Sequence, residues 1–255
     1  MPEWAVNCIL IAISIWPLIR IERWIHRHVQ GLGLLLTNNP QAAVLIYYLI
    51  FVPGVALHEV SQFLLAKLLG VEVKQFRIWP EDQQGVIRLG LVEIDQRKTD
   101  TVRATLIGVI PLVTGIAMIA WIGNARFDVE ILFTALSTGD LPTIAEGIRE
   151  FLRAPDFWLW FYLLFAFATA MLPEEHDEIN WWIIVAPAAG LIVFLLVLDL
   201  GILVQAWLEG PFTLLTEAVA FALWMSLGID AFMWALLSVA EFIFSRILQR
   251  ELEYN

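Results

Sequence analysis

Two ionisable side chains, His58 and Glu59, sit next to each other inside the apolar run FVPGVALHEVSQFLLAKLLG. A charged or titratable group deep in a hydrocarbon-spanning segment is costly, so such a pair marks either a function or a set of buried partners. An imidazole followed by a carboxylate is also the first half of His-Glu-x-x-His. In that pattern imidazoles at i and i+4 share one helix face and hold zinc, while the intervening Glu acts as general base toward metal-bound water. Here the run reads His58-Glu59-Val60-Ser61-Gln62. The place of the second imidazole is taken by Gln62, whose neutral amide is a weaker zinc ligand. The plainer role for His58 is that of a hydrogen-bonded helix residue with no ligand at all.

A second polar cluster, Pro173-Glu174-Glu175-His176-Asp177-Glu178, follows another apolar run. It reads as a solvated acidic loop between two helices, or as a source of ligands for the first cluster. Further acids, Asp199, Glu209, Glu217, Asp230 and Glu241, fall within or beside apolar stretches and are suited to pairing across helices. No Gly-rich phosphate loop or Ser/His/Asp set accompanies them, and Gly31 and Gly33 lack the strand and crossover of a dinucleotide fingerprint. The single cysteine, Cys8, lies in an apolar run and reads as a small buried hydrophobe.

The elements that must position these groups are set by composition. Hydrophobic residues make up 60% of the 255 and charged residues 16%, a balance suited to lipid rather than to a water-soluble core. A net charge of −11 excludes nucleic acid as a partner, because phosphates require a basic face. Six apolar runs are long enough to be spans, at about 4–19, 41–69, 101–122, 157–173, 181–208 and 212–245, the last with a break expected near Gly228 and Asp230. The first lacks a basic start and a cleavage site and reads as retained. It leads into Arg20, Arg23, His26, Arg27 and His28, a basic amphipathic stretch suited to the membrane surface, so five or six crossings are expected.

Between the second and third runs, residues 71–98 alternate apolar and polar side chains around the turn signal Glu81-Asp82-Gln83-Gln84-Gly85, the pattern of a β-hairpin. Segment 123–156 is more polar, and its IAEGIREFL piece predicts a short surface helix outside the membrane. Gly108, Pro111 and Gly115 make the third run suited to close helix packing, or to approach the helix that carries His58. Basic residues from Lys67 to Arg103 place the hairpin on the cytoplasmic side, although Arg20, Arg23 and Arg27 pull the other way. The expected fold is therefore an all-α polytopic membrane protein, with about six transmembrane helices and a small membrane-associated β-hairpin after the second.

A buried His-Glu helix, a β-hairpin, a helix bearing ATLIGVIPLVTG and a later span ending FATAMLPEEHDE resemble, in that order, the site-2 protease family of intramembrane zinc metalloproteases. The resemblance covers roughly residues 45–180. It implies three parts: residues 1–40 as an N-terminal span or interfacial helix, 41–180 as the family-like core, and 181–255 as C-terminal transmembrane helices. It also implies His58 as first metal ligand, Glu59 as general base and Asp177 as ligand aspartate, with Gln62 in the second ligand's place. His176 is a substitute imidazole, Ala170 stands where the family has Asn, and no Asp-Gly pair follows Pro173. Two readings follow. One is a divergent member with weak or absent zinc and impaired peptidase activity, which binds a membrane partner or serves as an accessory subunit. The other is an active zinc peptidase that cleaves substrates within the bilayer and receives them by strand addition at the hairpin. The expected surroundings are membrane lipids and a transmembrane substrate or partner subunit, in a bacterial cell membrane.

Overall fold

The computed structural model describes residues 1–78, 81–83, 86–88, 91–95, 99–173 and 179–248. The chain opens with two long helices, α1 (Glu3–Thr37) and α2 (Pro40–Leu68). The reversal between them is local chemistry. Asn38 adopts a left-handed conformation (φ 51°), the Asn39 side chain accepts from the backbone N–H groups of Gln41 and Ala42, and Pro40 opens α2, where its missing N–H is not needed.

Four strands follow: β1 (Val73–Arg77), β2 (Glu81–Gln83), β3 (Val86–Arg88) and β4 (Leu91–Ile94). Strand β1 pairs antiparallel with β4 and β2 with β3, so the chain folds back once between Gln83 and Val86, as the alternation of residues 71–98 predicts. Lys74 Nζ lies 3.3 Å from Asp95 Oδ1, and the ring of Phe76 rests on that of Phe63 in α2, which ties the hairpin to the end of α2.

The remaining elements are helical. They are α3 (Thr101–Arg126), α4 (Val129–Thr138), α5 (Leu141–Leu152), α6 (Phe157–Ala168), α7 (Trp181–Val197), α8 (Gly201–Trp207), a π-helical turn (Leu208–Phe212) and α9 (Thr213–Leu248). Among the described residues four helical stretches are long and apolar enough to cross a membrane: Glu3–Thr37, Pro40–Leu68, Thr101–Arg126 and Gly201–Leu248. The pair α5 and α6, bent by 93°, makes a fifth if counted as one. The core is a bundle of α1, α2, α3, α6 and α9 around Leu18, Ile25, Phe51, Ile119, Ile122, Phe165 and Leu223.

Three expected boundaries are corrected. The first run does not stop at residue 19. The basic stretch continues the same helix to Thr37, because Ser14, Leu18, Ile25, Val29 and Gly33 keep one buried stripe at helical spacing, and this side packs on α9. At about 1.5 Å per residue α1 is about 52 Å long, which exceeds the roughly 30 Å of hydrocarbon. The 181–208 run is two helices, interrupted where Asp199 takes a left-handed φ of 58°, a conformation Asp tolerates better than most residues. The break expected near Gly228 and Asp230 is absent, and α9 runs unbroken through both.

Candidate functional site

The site is built where α6 ends. Helix α6 has only twelve residues, about 18 Å, so it stops far short of crossing 30 Å of hydrocarbon by itself. Beyond Ala168 the backbone leaves the helix while still inside the protein, with Thr169 and Met171 buried. Irregular backbone in such a setting has no water to satisfy its carbonyls and depends on side chains from its neighbours. His58 supplies one, since its Nδ1–H donates to the Ala170 carbonyl at 2.9 Å.

Two glycines make this approach possible. A Cβ on Gly54, one helical turn before His58, would lie 1.9 Å from the Ala166 carbonyl oxygen and 2.7 Å from Ala170 Cβ, so α2 and α6 touch backbone to backbone there. A Cβ on Gly115 of α3 would lie 2.4 Å from Met171 Cβ. Residues 170 and 171 are thus held between α2 and α3 by the absence of side chains, the role of small residues where membrane helices meet. Further on, the buried Thr105 hydroxyl of α3 accepts from the Asn180 backbone N–H at 3.2 Å, and the Asn180 side chain caps α7. Met171 and Asn180 thus each lie against α3.

His58 and Glu59 are each 3% exposed, and Gln62 is buried beside them. Because Nδ1 carries the proton given to Ala170, Nε2 is the nitrogen with the lone pair, the one a metal would take. That lone pair faces the Gln62 amide, whose Nε2 lies 3.2 Å away and donates to it. The network fixes both assignments: a carbonyl on one side of the ring requires a donor, and the amide NH2 on the other meets an acceptor. Both ring nitrogens thus meet polar protein atoms among the described residues. The Ser61 hydroxyl turns back onto the His58 carbonyl at 2.8 Å and takes no part in the cluster.

The resemblance implied metal ligation by His58, Asp177 and His176, catalysis by Glu59 and an altered ligand position at Gln62. The structure brings His58, Glu59 and Gln62 together on one buried turn of α2. His176 and Asp177 lie outside the described residues, and so does the expected convergence of Asp177 with His58 and Glu59. Among the described residues no group of three His, Cys, Asp or Glu side chains could hold a metal ion. Among the described residues, His58 Nε2 meets the amide of Gln62, the residue four positions further along α2.

A second polar thread lies between α1, α2 and α9. Tyr47 Oη and His26 Nδ1 are 2.6 Å apart, His26 Nε2 lies 4.0 Å from Glu22 Oε1, and His28, stacked on Trp24, lies 3.8 Å from Glu241. Asp230 of α9 is fully buried, and its carboxyl oxygens have no hydrogen-bond partner among the described residues. Glu209 accepts from Gln205 at 2.9 Å. The basic stretch around Arg20 to His28 is thus partly internal, where the sequence suggested an amphipathic stretch along the membrane surface.

Sequence reasoning missed Gly54 and the Ala170 carbonyl. A small residue one turn before the motif histidine is a legible signal for the first. For the second there is none, because every residue carries a carbonyl. No family model, no curated protein and no solved structure matches this chain.

Proposed function

We propose that this chain is a multi-pass membrane protein on a site-2-protease-like plan, working without a zinc centre as a binding or accessory subunit for a membrane partner. By this reading α7, at seventeen residues, and α6 continued by the non-helical backbone from Thr169 to Pro173 are both crossings, which gives six with α1, α2, α3 and the α8 to α9 stretch. The location is a bacterial cell membrane, with the hairpin on its cytoplasmic side.

The observation that carries the proposal is the Gln62 amide on His58 Nε2. It turns the would-be ligand into a clamp: His58 bridges the broken end of α6 to α2, and the motif turn serves architecture. The hairpin supports a binding role, since β1 pairs with β4 and with no other described strand, which leaves each a backbone edge to which an extended partner segment can add.

One feature favours the alternative, an active zinc peptidase. A backbone carbonyl on Nδ1 is also the partner that a metal-bound histidine commonly has. The two readings separate by activity: purified protein in lipid is incubated with a model transmembrane substrate in parallel with Glu59→Gln. No cleavage dependent on Glu59 is expected. Cleavage by the unmodified protein that Glu59→Gln abolishes would establish the peptidase.

A further inference from the structure

Helix α5 divides into three sectors around its axis. The first is packed: Ile144, Gly147 and Phe151 face α4 and the aromatic cluster, with Phe151 stacked on Phe127 at 4.7 Å and no room for a Cβ on Gly147, which would lie 2.8 Å from Ala135 Cβ. The second is charged: Glu146 and Arg149 pair at 3.5 Å, and Glu150 pairs with Arg153 at 2.9 Å. The third is apolar and uncovered. Leu141, Ile148 and Leu152, spaced i, i+7 and i+11, are 78%, 45% and 55% exposed.

The surroundings say what covers that third sector. Helix α5 turns by 93° into α6, which packs on α2 and α3, so α5 lies across the bundle rather than along it. It does so at the end of the bundle where Trp121, Trp158 and Trp160 gather. Arg126 is held there over Trp160 at 4.4 Å and over Trp121 at 5.7 Å, an aromatic and basic belt of the kind found where helices leave hydrocarbon. The uncovered stripe ends at Leu152, six residues before the exposed Trp158 of α6. A helix at that level, perpendicular to the spans and with one apolar and one charged side, has the geometry of an in-plane interfacial helix.

We propose that α5 lies in the membrane surface, its Leu141, Ile148 and Leu152 stripe covered by lipid acyl chains and its Glu146 and Arg149 side facing water. The inference rests on the reading of α2, α3 and α9 as spans. It changes the sequence expectation for this segment from a helix outside the membrane to one embedded in the interface. The stripe anchors the α4 and α5 arm to the bilayer and sets the angle at which α6 enters.

Single-cysteine variants on a Cys8→Ala background, spin-labelled at Leu141, Ile148, Leu152, Glu146 or Val193 and placed in phosphatidylcholine and phosphatidylglycerol vesicles, test this. The readout is collision with oxygen, which partitions into lipid, against a water-soluble nickel chelate. Val193, exposed on the apolar helix α7, reports the membrane placement itself. The expected ratio of oxygen to nickel accessibility is at least about threefold higher at Ile148 and Leu152 than at Glu146. Equal values at Ile148 and Glu146 with Val193 in lipid would overturn the interfacial helix and leave the spans intact. Shielding of Ile148 from both reagents would also overturn it, in favour of a protein cover. Val193 in water would overturn the membrane placement and the inference together.

Discussion

Replacing Gly54 by Ala adds one methyl group at the closest contact in the bundle. The new Cβ would stand 1.9 Å from the Ala166 carbonyl oxygen, 2.9 Å from its carbon and 2.7 Å from Ala170 Cβ. Two of these are backbone atoms, so no rotamer change relieves the clash, and α2 and α6 must separate by roughly 1 Å before ordinary contact is restored. Overpacking of this kind costs about 1–3 kcal/mol. The same separation stretches the 2.9 Å bond from His58 to Ala170 beyond hydrogen-bonding range, a further cost of about 0.5–1.5 kcal/mol. Against this, Ala is favoured over Gly inside a helix by about 1 kcal/mol. The net expectation is a loss of about 1–3 kcal/mol, read by chemical unfolding in detergent followed through tryptophan fluorescence. Gly190→Ala is the matched control, because nothing lies within 4 Å of its added Cβ, and it is expected to be neutral or slightly stabilising. Gly54→Ala as stable as Gly190→Ala would refute the backbone contact between α2 and α6, and with it the positioning of His58.

Asp230→Ala is expected to be neutral or stabilising, because it removes a buried carboxyl with no hydrogen-bond partner among the described residues. Ile229→Ala, next to it in the core, is expected to lose about 2–4 kcal/mol in the same unfolding assay. Thr105→Val keeps the shape of a fully buried side chain but removes the acceptor for the Asn180 N–H, so amide exchange at Asn180 should speed by about tenfold, corresponding to about 1.4 kcal/mol, with global stability little changed. Gln62→Leu removes the amide that meets His58 Nε2 and should destabilise by about 1–2 kcal/mol, whereas Gln62→His should raise zinc binding above that of the unmodified chain.

What the sequence made legible follows from periodicity. The alternation of residues 71–98 set the hairpin, with Gln83 opposite Val86 and Arg77 opposite Leu91. The apolar run with His58 and Glu59 at its heart became α2, with both side chains buried. Boundaries were less legible, because hydropathy does not register a backbone that changes direction within an apolar stretch. Asp199 ends α7 through its φ, and the sequence Ala154-Pro155-Asp156 turns the chain by 93° into α6 with Asp156 at φ 55°. A charged stretch likewise hid the continuing buried stripe of α1, since Arg20, Arg23 and Arg27 occupy its other side. Of the site, Gln62 was legible as the residue on the same helix face as His58. Its contact with His58 Nε2 was not, because that depends on the Ala170 carbonyl, and on the tautomer the carbonyl imposes on His58.

On the proposed reading, His58 binds Ala170 and Gln62 and holds no metal. The most direct test is the zinc content per chain of the protein purified in lipid without chelator, measured beside Gln62→His. The expected result is well below one zinc per chain for the unmodified protein and a rise toward one for Gln62→His. One tightly held zinc per chain in the unmodified protein, lost in His58→Ala, would contradict the account.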